Sequence, residues 1–234
     1  YTETDGMGPQ VGKTKAEEIC VPLLSDIQLA KVTPTYSTEQ AEVRVVKYAH
    51  KISELARLQR KSHPIKKAAV LCLFDFNCKN LSIILTLRSK KLTIHPGQIS
   101  FPGGKLNNEE NNYDCALRET FEEIGIKKQN INTLGELNFY LSGSNFLIKP
   151  IVGITEGEYN FFLNKKEVDK VFYFPINFLF NRKNLTKSFY KSKSINKKKF
   201  FYDIYWNDMR IWGTTALILV HLSRFVRNIA INNV

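Results

Sequence analysis

Cysteine is scarce: of 234 residues only Cys20, Cys72, Cys78 and Cys115 carry a thiol, and no two stand at CxxC spacing. A thiolate zinc site or dithiol redox centre is thereby excluded, and reduced structural thiols of an intracellular protein are expected. No apolar run reaches the roughly 18 residues needed to cross a bilayer, so no membrane span is expected. Acidic residues open the chain without an apolar h-region after them, which argues against a secretory signal. The last residues, Ile231-Asn232-Asn233-Val234, hold no S-K-L address, so mitochondrial, peroxisomal and cytoplasmic locations are not separated.

Acidic residues are also missing from 181–200, which holds eight basic ones, two thirds of the net charge of +12. Such a Lys/Asn-rich segment reads as a solvated, loop-like insertion, and nucleic acid is not expected as a partner. A P-loop is excluded too. Gly8-Pro9-Gln10-Val11-Gly12-Lys13-Thr14 imitates its end, but Met7 stands where the motif places glycine and no strand precedes it.

Residues 1–36 read as an irregular tail. Ser37 and Gln40 form a capping box for a helix from Thr38 to Arg60, an N-terminal arm over about 37–62. Strands are expected at Ala68 to Phe74 and Leu81 to Arg88 as a hairpin, and at Ile99 to Phe101. Further strands are expected at Leu134 to Leu141, Ile148 to Thr155 and Val171 to Phe174, with a hairpin of Phe200 to Trp206 and Met209 to Trp212 over Asn207-Asp208. Thr214 to Ile229 reads as a closing helix. The order fits an α/β/α sandwich over 63–234.

The densest chemistry lies in Gly103 to Ile126, GGKLNNEENNYDCALRETFEEIGI. Asn111 or Asn112 can cap a helix over Asn112 to Ile124, and Gly125 supplies its left-handed stop. At about 100° per residue, Tyr113, Ala116, Leu117, Thr120 and Ile124 form the core stripe, while Glu119, Glu122 and Glu123 share an arc of about 100° on the far side. Three carboxylates at i, i+3 and i+4 repel one another. A cation beside them would relieve this, and Phe101-Pro102-Gly103-Gly104, a strand end running into a glycine turn, lets a ligand approach the backbone closely. Hard oxygen donors suit Mg²⁺ or Mn²⁺ held together with phosphates.

The spacing of Gly104, Glu110 and Arg118-Glu119-Thr120-Phe121-Glu122-Glu123-Ile124-Gly125-Ile126 resembles the Nudix box, G-x5-E-x7-R-E-U-x-E-E-x-G-U, with Thr120 the one departure. The resemblance implies a Nudix-type α/β/α sandwich with a mixed central sheet. It also implies a pyrophosphohydrolase whose Mg²⁺ or Mn²⁺ is held by Glu119, Glu122 and Glu123 with the Gly103 or Gly104 carbonyl. Glu110 would bind a further metal or orient Arg118, and Arg118 would orient a box glutamate. Glu122 and Glu123 are equal candidates for a glutamate base.

Leu85-Thr86-Leu87-Arg88-Ser89, Leu92, His95, Gly97, Gln98 and Phe101 to Gly104 resemble the signature preceding the box in coenzyme A diphosphatases. Leu141-Ser142-Gly143, Pro150 to Gly153, Glu167-Val168 and Ile211 to Ala216 continue the likeness. This implies hydrolysis of coenzyme A or acyl-coenzyme A to 3′,5′-ADP and (acyl-)4′-phosphopantetheine by a monomer or homodimer. Arg88, Ser89, His95, Gly97, Gln98 and Phe101 would be the substrate contacts, with Phe139 and Phe146 as pocket candidates. Arg88 could bind phosphate bidentately or pair with the acidic helix, and His95 could contact phosphate or order its loop. The alternatives are another nucleoside diphosphate derivative, such as ADP-ribose, NADH or capped RNA, and a non-catalytic RNA-binding module.

Overall fold

Apolar residues fill both faces of the strand Lys66–Asp75 (β1), the pattern of a strand covered on either side. Ala69, Leu71 and Leu73 join one core cluster, and Cys72 and Phe74 join another. The computed structural model describes residues 65–75, 81–155, 157–191 and 198–232. The expected tail, the arm helix and the residues that join the first hairpin's two strands, 76–80, lie outside the described residues.

Ser82–Arg88 (β2), Ile99–Ser100 (β3), Gly103–Lys105 (β4), Ile131–Glu136 (β5), Tyr140–Leu141 (β6), Phe146–Thr155 (β7) and Val168–Pro175 (β8) complete an eight-stranded sheet with β1. The sheet is mixed: β1 runs parallel to β7 and antiparallel to β2 and β4. The helix Asn112–Ile124 (α1) packs on the Ala69, Leu71 and Leu73 face. The helix Gly213–Asn232 (α2) covers the other face through Ile218, Leu219, Leu222 and Val226. Truncating Leu71 or Leu73, both fully buried, costs about 2–5 kcal/mol. The architecture is the α/β/α sandwich expected, and no helix among the described residues is long and apolar enough to cross a membrane.

Four details differ from expectation. Gly103 and Gly104, read as a turn, pair with Val70 and Ala69 as a strand. The single strand expected from Leu134 to Leu141 is two, because the β5 register on β7 shifts between Thr133 and Gly135 and β5 ends at Glu136. The β1–β2 hairpin pairs at Phe74 with Ile83 and Asp75 with Ser82, while Ala68, Ala69 and Val70 of β1 pair with β4. Part of the segment read as a loop is ordered: Thr186–Lys191 (β9) pairs with Lys198–Trp206 (β10), which pairs with Met209–Trp212 (β11) in a separate antiparallel sheet. The turn between β10 and β11 has Asn207 at φ 46° and Asp208 at φ 60°, the left-handed pair of a tight hairpin. Cys72 and Cys115 are buried free thiols, and burial pushes Cys115 up to about 11.

Candidate functional site

The helix that carries the glutamates is fixed at both ends by its own sequence. Asn111 accepts the amide of Asp114 at 2.9 Å, and Gly125 closes the last turn at φ 80° while donating to the Phe121 carbonyl. Thr120 is fully buried and its hydroxyl donates to the Ala116 carbonyl at 2.7 Å, so the one departure from the box pattern fits the core. Opposite the helix, Gly103 sits at φ 150°, where a Cβ would collide with the Ala69 carbonyl and Val70. A Cβ on Gly104 would fall on the carboxylate of Glu119. β4 can therefore lie so close to β1 because of Gly103, and to the helix because of Gly104.

Arg118 is the hub of the polar network. It holds Glu110 bidentately, Nε to Oε1 at 2.7 Å and Nη2 to Oε2 at 3.0 Å, and its Nη1 reaches Glu119 at 2.9 Å and Glu122 at 3.0 Å. Arg118 thus contacts three of the four box glutamates at once. Glu110 also accepts the Asn107 amide, and its hydrogen bonds to Arg118 first of all lower its carboxyl to about 2. Glu110 is thereby paired with Arg118 and tied to the loop before the helix.

The helical wheel puts Glu123 on the far side with Glu119 and Glu122, and the structure corrects this. Glu123 is 2% exposed, and the segment after β7 is tied back to the end of its helix, the Phe162 and Asn164 amides donating to the Ile124 and Glu123 carbonyls. Its carboxylate accepts the Gly103 amide at 3.4 Å and faces Arg88 Nη1 at 3.8 Å. Burial outweighs both contacts and pushes the group up to about 8. Glu119, half-buried, is raised for the same cause against the pull of Arg118. Glu122 stays exposed at 52%.

Among the described residues, no three His, Cys, Asp or Glu side chains converge closely enough to hold a metal as they stand. The donor chemistry nevertheless fits a hard divalent cation. Two carboxylates are drawn out of water against β4, and the guanidinium facing Glu123 is too distant to offset its burial. Arg88 adds a buried Nε without a hydrogen-bond partner.

The residues proposed for substrate divide into two groups. Arg88 stands at the site, and Arg88 with Gln98 and Gly97 ties the loop by backbone bonds, Gly97 at φ 67°. His95, exposed at φ 55°, accepts the Gln98 amide through its carbonyl. Ser89 is buried and its hydroxyl accepts the Lys91 amide, so it orders the loop. Phe101, expected as a contact, is 2% exposed in the α2-side core and supports the strand end instead. Phe139 lies under Lys149 Nζ at 4.4 Å and Phe146 under Lys66 Nζ at 5.7 Å. Glu167 stands near the site without being among the residues expected there. Its carboxylate raises both Glu119 and Glu123, and Asn164 donates to it at 3.3 Å. Its only signal was its place in the stretch that continued the resemblance.

A family model described as NUDIX domain matches residues 64–192, more than half of the chain. Nudix hydrolase 15, mitochondrial, of Arabidopsis thaliana is 32% identical over 190 residues, which are 76% of this chain and 64% of that protein. The chain thus spans less than two thirds of the plant protein. The Uncharacterized Nudix hydrolase NudL of Yersinia pestis is 33% identical over 149 residues, 62% of this chain and 72% of its own length. Among solved structures, a C. elegans Ap4A hydrolase binary complex aligns with 48% of this chain and 82% of its own, at TM-score 0.41 and 19% identity.

Proposed function

The chain belongs to the Nudix family, and from that premise we propose that it hydrolyses the pyrophosphate of coenzyme A or acyl-coenzyme A, releasing 3′,5′-ADP and (acyl-)4′-phosphopantetheine. The observation that carries the reading is the pairing of Glu119 with Gly104 and Glu123 with Gly103 across one narrow seam, with Arg88 at its edge. The substrate class is supported by the coenzyme A diphosphatase signature, which runs through Arg88 and its loop and ends at that seam.

Glu119, Glu122 and Glu123, with the Gly103 or Gly104 carbonyl, would hold Mg²⁺ or Mn²⁺, and Glu119 and Glu122 would turn from Arg118 to do so. Such an ion supplies charge neutralisation at the pyrophosphate and acidifies a water molecule. Arg88 offers its guanidinium to a phosphate oxygen, the bidentate geometry that arginine favours. Arg118 is a positioning residue: it fixes Glu110 and presents Glu119 and Glu122 on the seam side of α1. Glu167, anchored by Asn164, adds negative charge near Glu119 and Glu123 and so strengthens the pull of the site on a cation.

The test is a substrate panel of free coenzyme A, acetyl-coenzyme A, ADP-ribose and NADH with Mg²⁺ or Mn²⁺, scored by kcat/KM with product identification. Release of 3′,5′-ADP at the highest kcat/KM is expected. Preferential turnover of ADP-ribose or NADH would transfer the site to another nucleoside diphosphate derivative.

A further inference from the structure

We propose that the groove on the α2 side of the sheet, beside β4, is the subsite for the adenine base of the substrate, with His221 reading the base edge and Tyr140 holding His221 in place. This subsite rests on the pyrophosphate reading of the β4 seam, and it serves any adenosine diphosphate derivative, coenzyme A included.

Paired positions of adjacent strands share one face of the sheet, so the register gives the floor of the groove row by row. On the α2 side Phe74 pairs with Ile154 and Cys72 with Val152, and all four join Leu219, Leu222 and Val226 of α2 in one buried core. One row nearer the Lys66 end, Val70 pairs with Pro150 and with Gly103, and it is only partly buried although β1 is an interior strand. In the row after that, Ala68 lies between Lys105 of β4 and Ile148 of β7, and Ile148 pairs in turn with Tyr140 of β6. Ala68 and Ile148 join neither core, and Ile148 is partly exposed. The cover by α2 thus ends between Cys72 and Val70. Beyond it lies an apolar floor about 14 Å wide from β4 to β6, at about 4.8 Å per strand gap.

The far wall carries the recognition chemistry. Tyr140 Oη and His221 Nδ1 share a hydrogen bond of 2.7 Å, and the two rings lie 5.6 Å apart, tilted by 44°. His221 is exposed, and its Nε2 has no hydrogen-bond partner among the described residues. The bond at Nδ1 fixes the imidazole and leaves Nε2 for a ligand. At the near wall stands Gly103, whose amide reaches Glu123, so groove and seam meet at one glycine. A ligand whose phosphates occupy the seam has one substituent over Val70 and Ala68. A flat heteroaromatic ring with hydrogen-bonding edges suits an apolar floor that ends in two rings. The pantetheine arm suits it less, because its amides and hydroxyl would lie on that floor with one imidazole nitrogen to satisfy them.

The test is isothermal titration of the full chain, with Mg²⁺ present, by three probes: adenosine 5′-monophosphate, ribose 5-phosphate and 4′-phosphopantetheine. The adenosine monophosphate should bind about tenfold more tightly than ribose 5-phosphate. His221→Ala should raise its Kd about tenfold and Tyr140→Phe about threefold, while the other two probes change less than about twofold in either variant. Equal wild-type affinity for adenosine monophosphate and ribose 5-phosphate would overturn the subsite. So would an equal loss of all three probes in His221→Ala, or a loss confined to 4′-phosphopantetheine. The substrate panel separates the two readings: if no pyrophosphate is cleaved, the seam reading falls and the subsite with it. Cleavage by a protein whose His221→Ala variant binds adenosine monophosphate unchanged overturns the subsite alone.

Discussion

Glu123 on α1 and Asp203 on β10 are both 2% exposed, and each faces one arginine, yet their carboxyl groups move in opposite directions. Asp203 receives two guanidinium hydrogen bonds, at 2.7 and 3.1 Å, and is held below the usual carboxylate range. Glu123 meets Arg88 at 3.8 Å and is pushed up to about 8 by burial. Burial costs both groups, and what differs is whether the partner has been brought into hydrogen-bonding geometry. On the small sheet the charge is satisfied and structural. At the seam beside β4 it is left under-neutralised, as a group must be if it is to take up a cation and then a pyrophosphate.

The comparison breaks most sharply through Glu123→Gln. Activity should fall by about 10³-fold or more, since the proposed metal site would lose one of its ligands. Stability should move the other way. The folded pKa is raised, so the wild-type protein in chelator has its full stability below the unfolded value of about 4.3 and loses stability as pH rises toward 8. The variant escapes that loss and should be on the order of 2 kcal/mol more stable at pH 7.5, with the gap closing toward pH 4. Thermal melts across that range decide it, and a destabilised variant at pH 7.5 would show that Glu123 is structural.

Asp203→Asn should do the reverse at smaller scale. Loss of the bidentate pair costs about 1–3 kcal/mol, a Tm about 3–8 °C lower at pH 7, with kcat/KM for coenzyme A unchanged. Its folded pKa is depressed, so the stabilisation is present above the unfolded value of about 3.9 and is lost as pH falls through the lower folded value. The wild-type advantage should therefore shrink below about pH 4, and melts at pH 3 and pH 7 would reveal it. The smallest effect is expected at the rim, where Lys187→Gln should change kcat/KM for coenzyme A less than about twofold. A larger loss would join the small sheet to the pyrophosphate site and dissolve the contrast.

The bounds of α1 are legible residue for residue because its cap, first turn and left-handed stop are local chemistry. So is the hairpin over Asn207-Asp208, whose two short polar residues take the positive φ values themselves. The burial of Glu123 is not legible, since a helical wheel sees one element and the carboxylate is enclosed against Gly103 of β4 and Arg88 of β2, distant in sequence. β9 is hidden by its lysines, which have low strand preference, although Phe189 stands opposite Phe200 across the ladder. Glu167 escapes for the same reason as Glu123: its neighbours are near in space and distant in sequence.

The central claim is that the glutamates of α1 form the reacting centre for a coenzyme A pyrophosphate, and Glu122 tests it most cleanly because it is exposed and off the core. With Mg²⁺ saturating, the account predicts that Glu122→Gln folds with an unchanged Tm and loses at least about 10²-fold in kcat/KM for coenzyme A. Turnover near that of the wild type would contradict it.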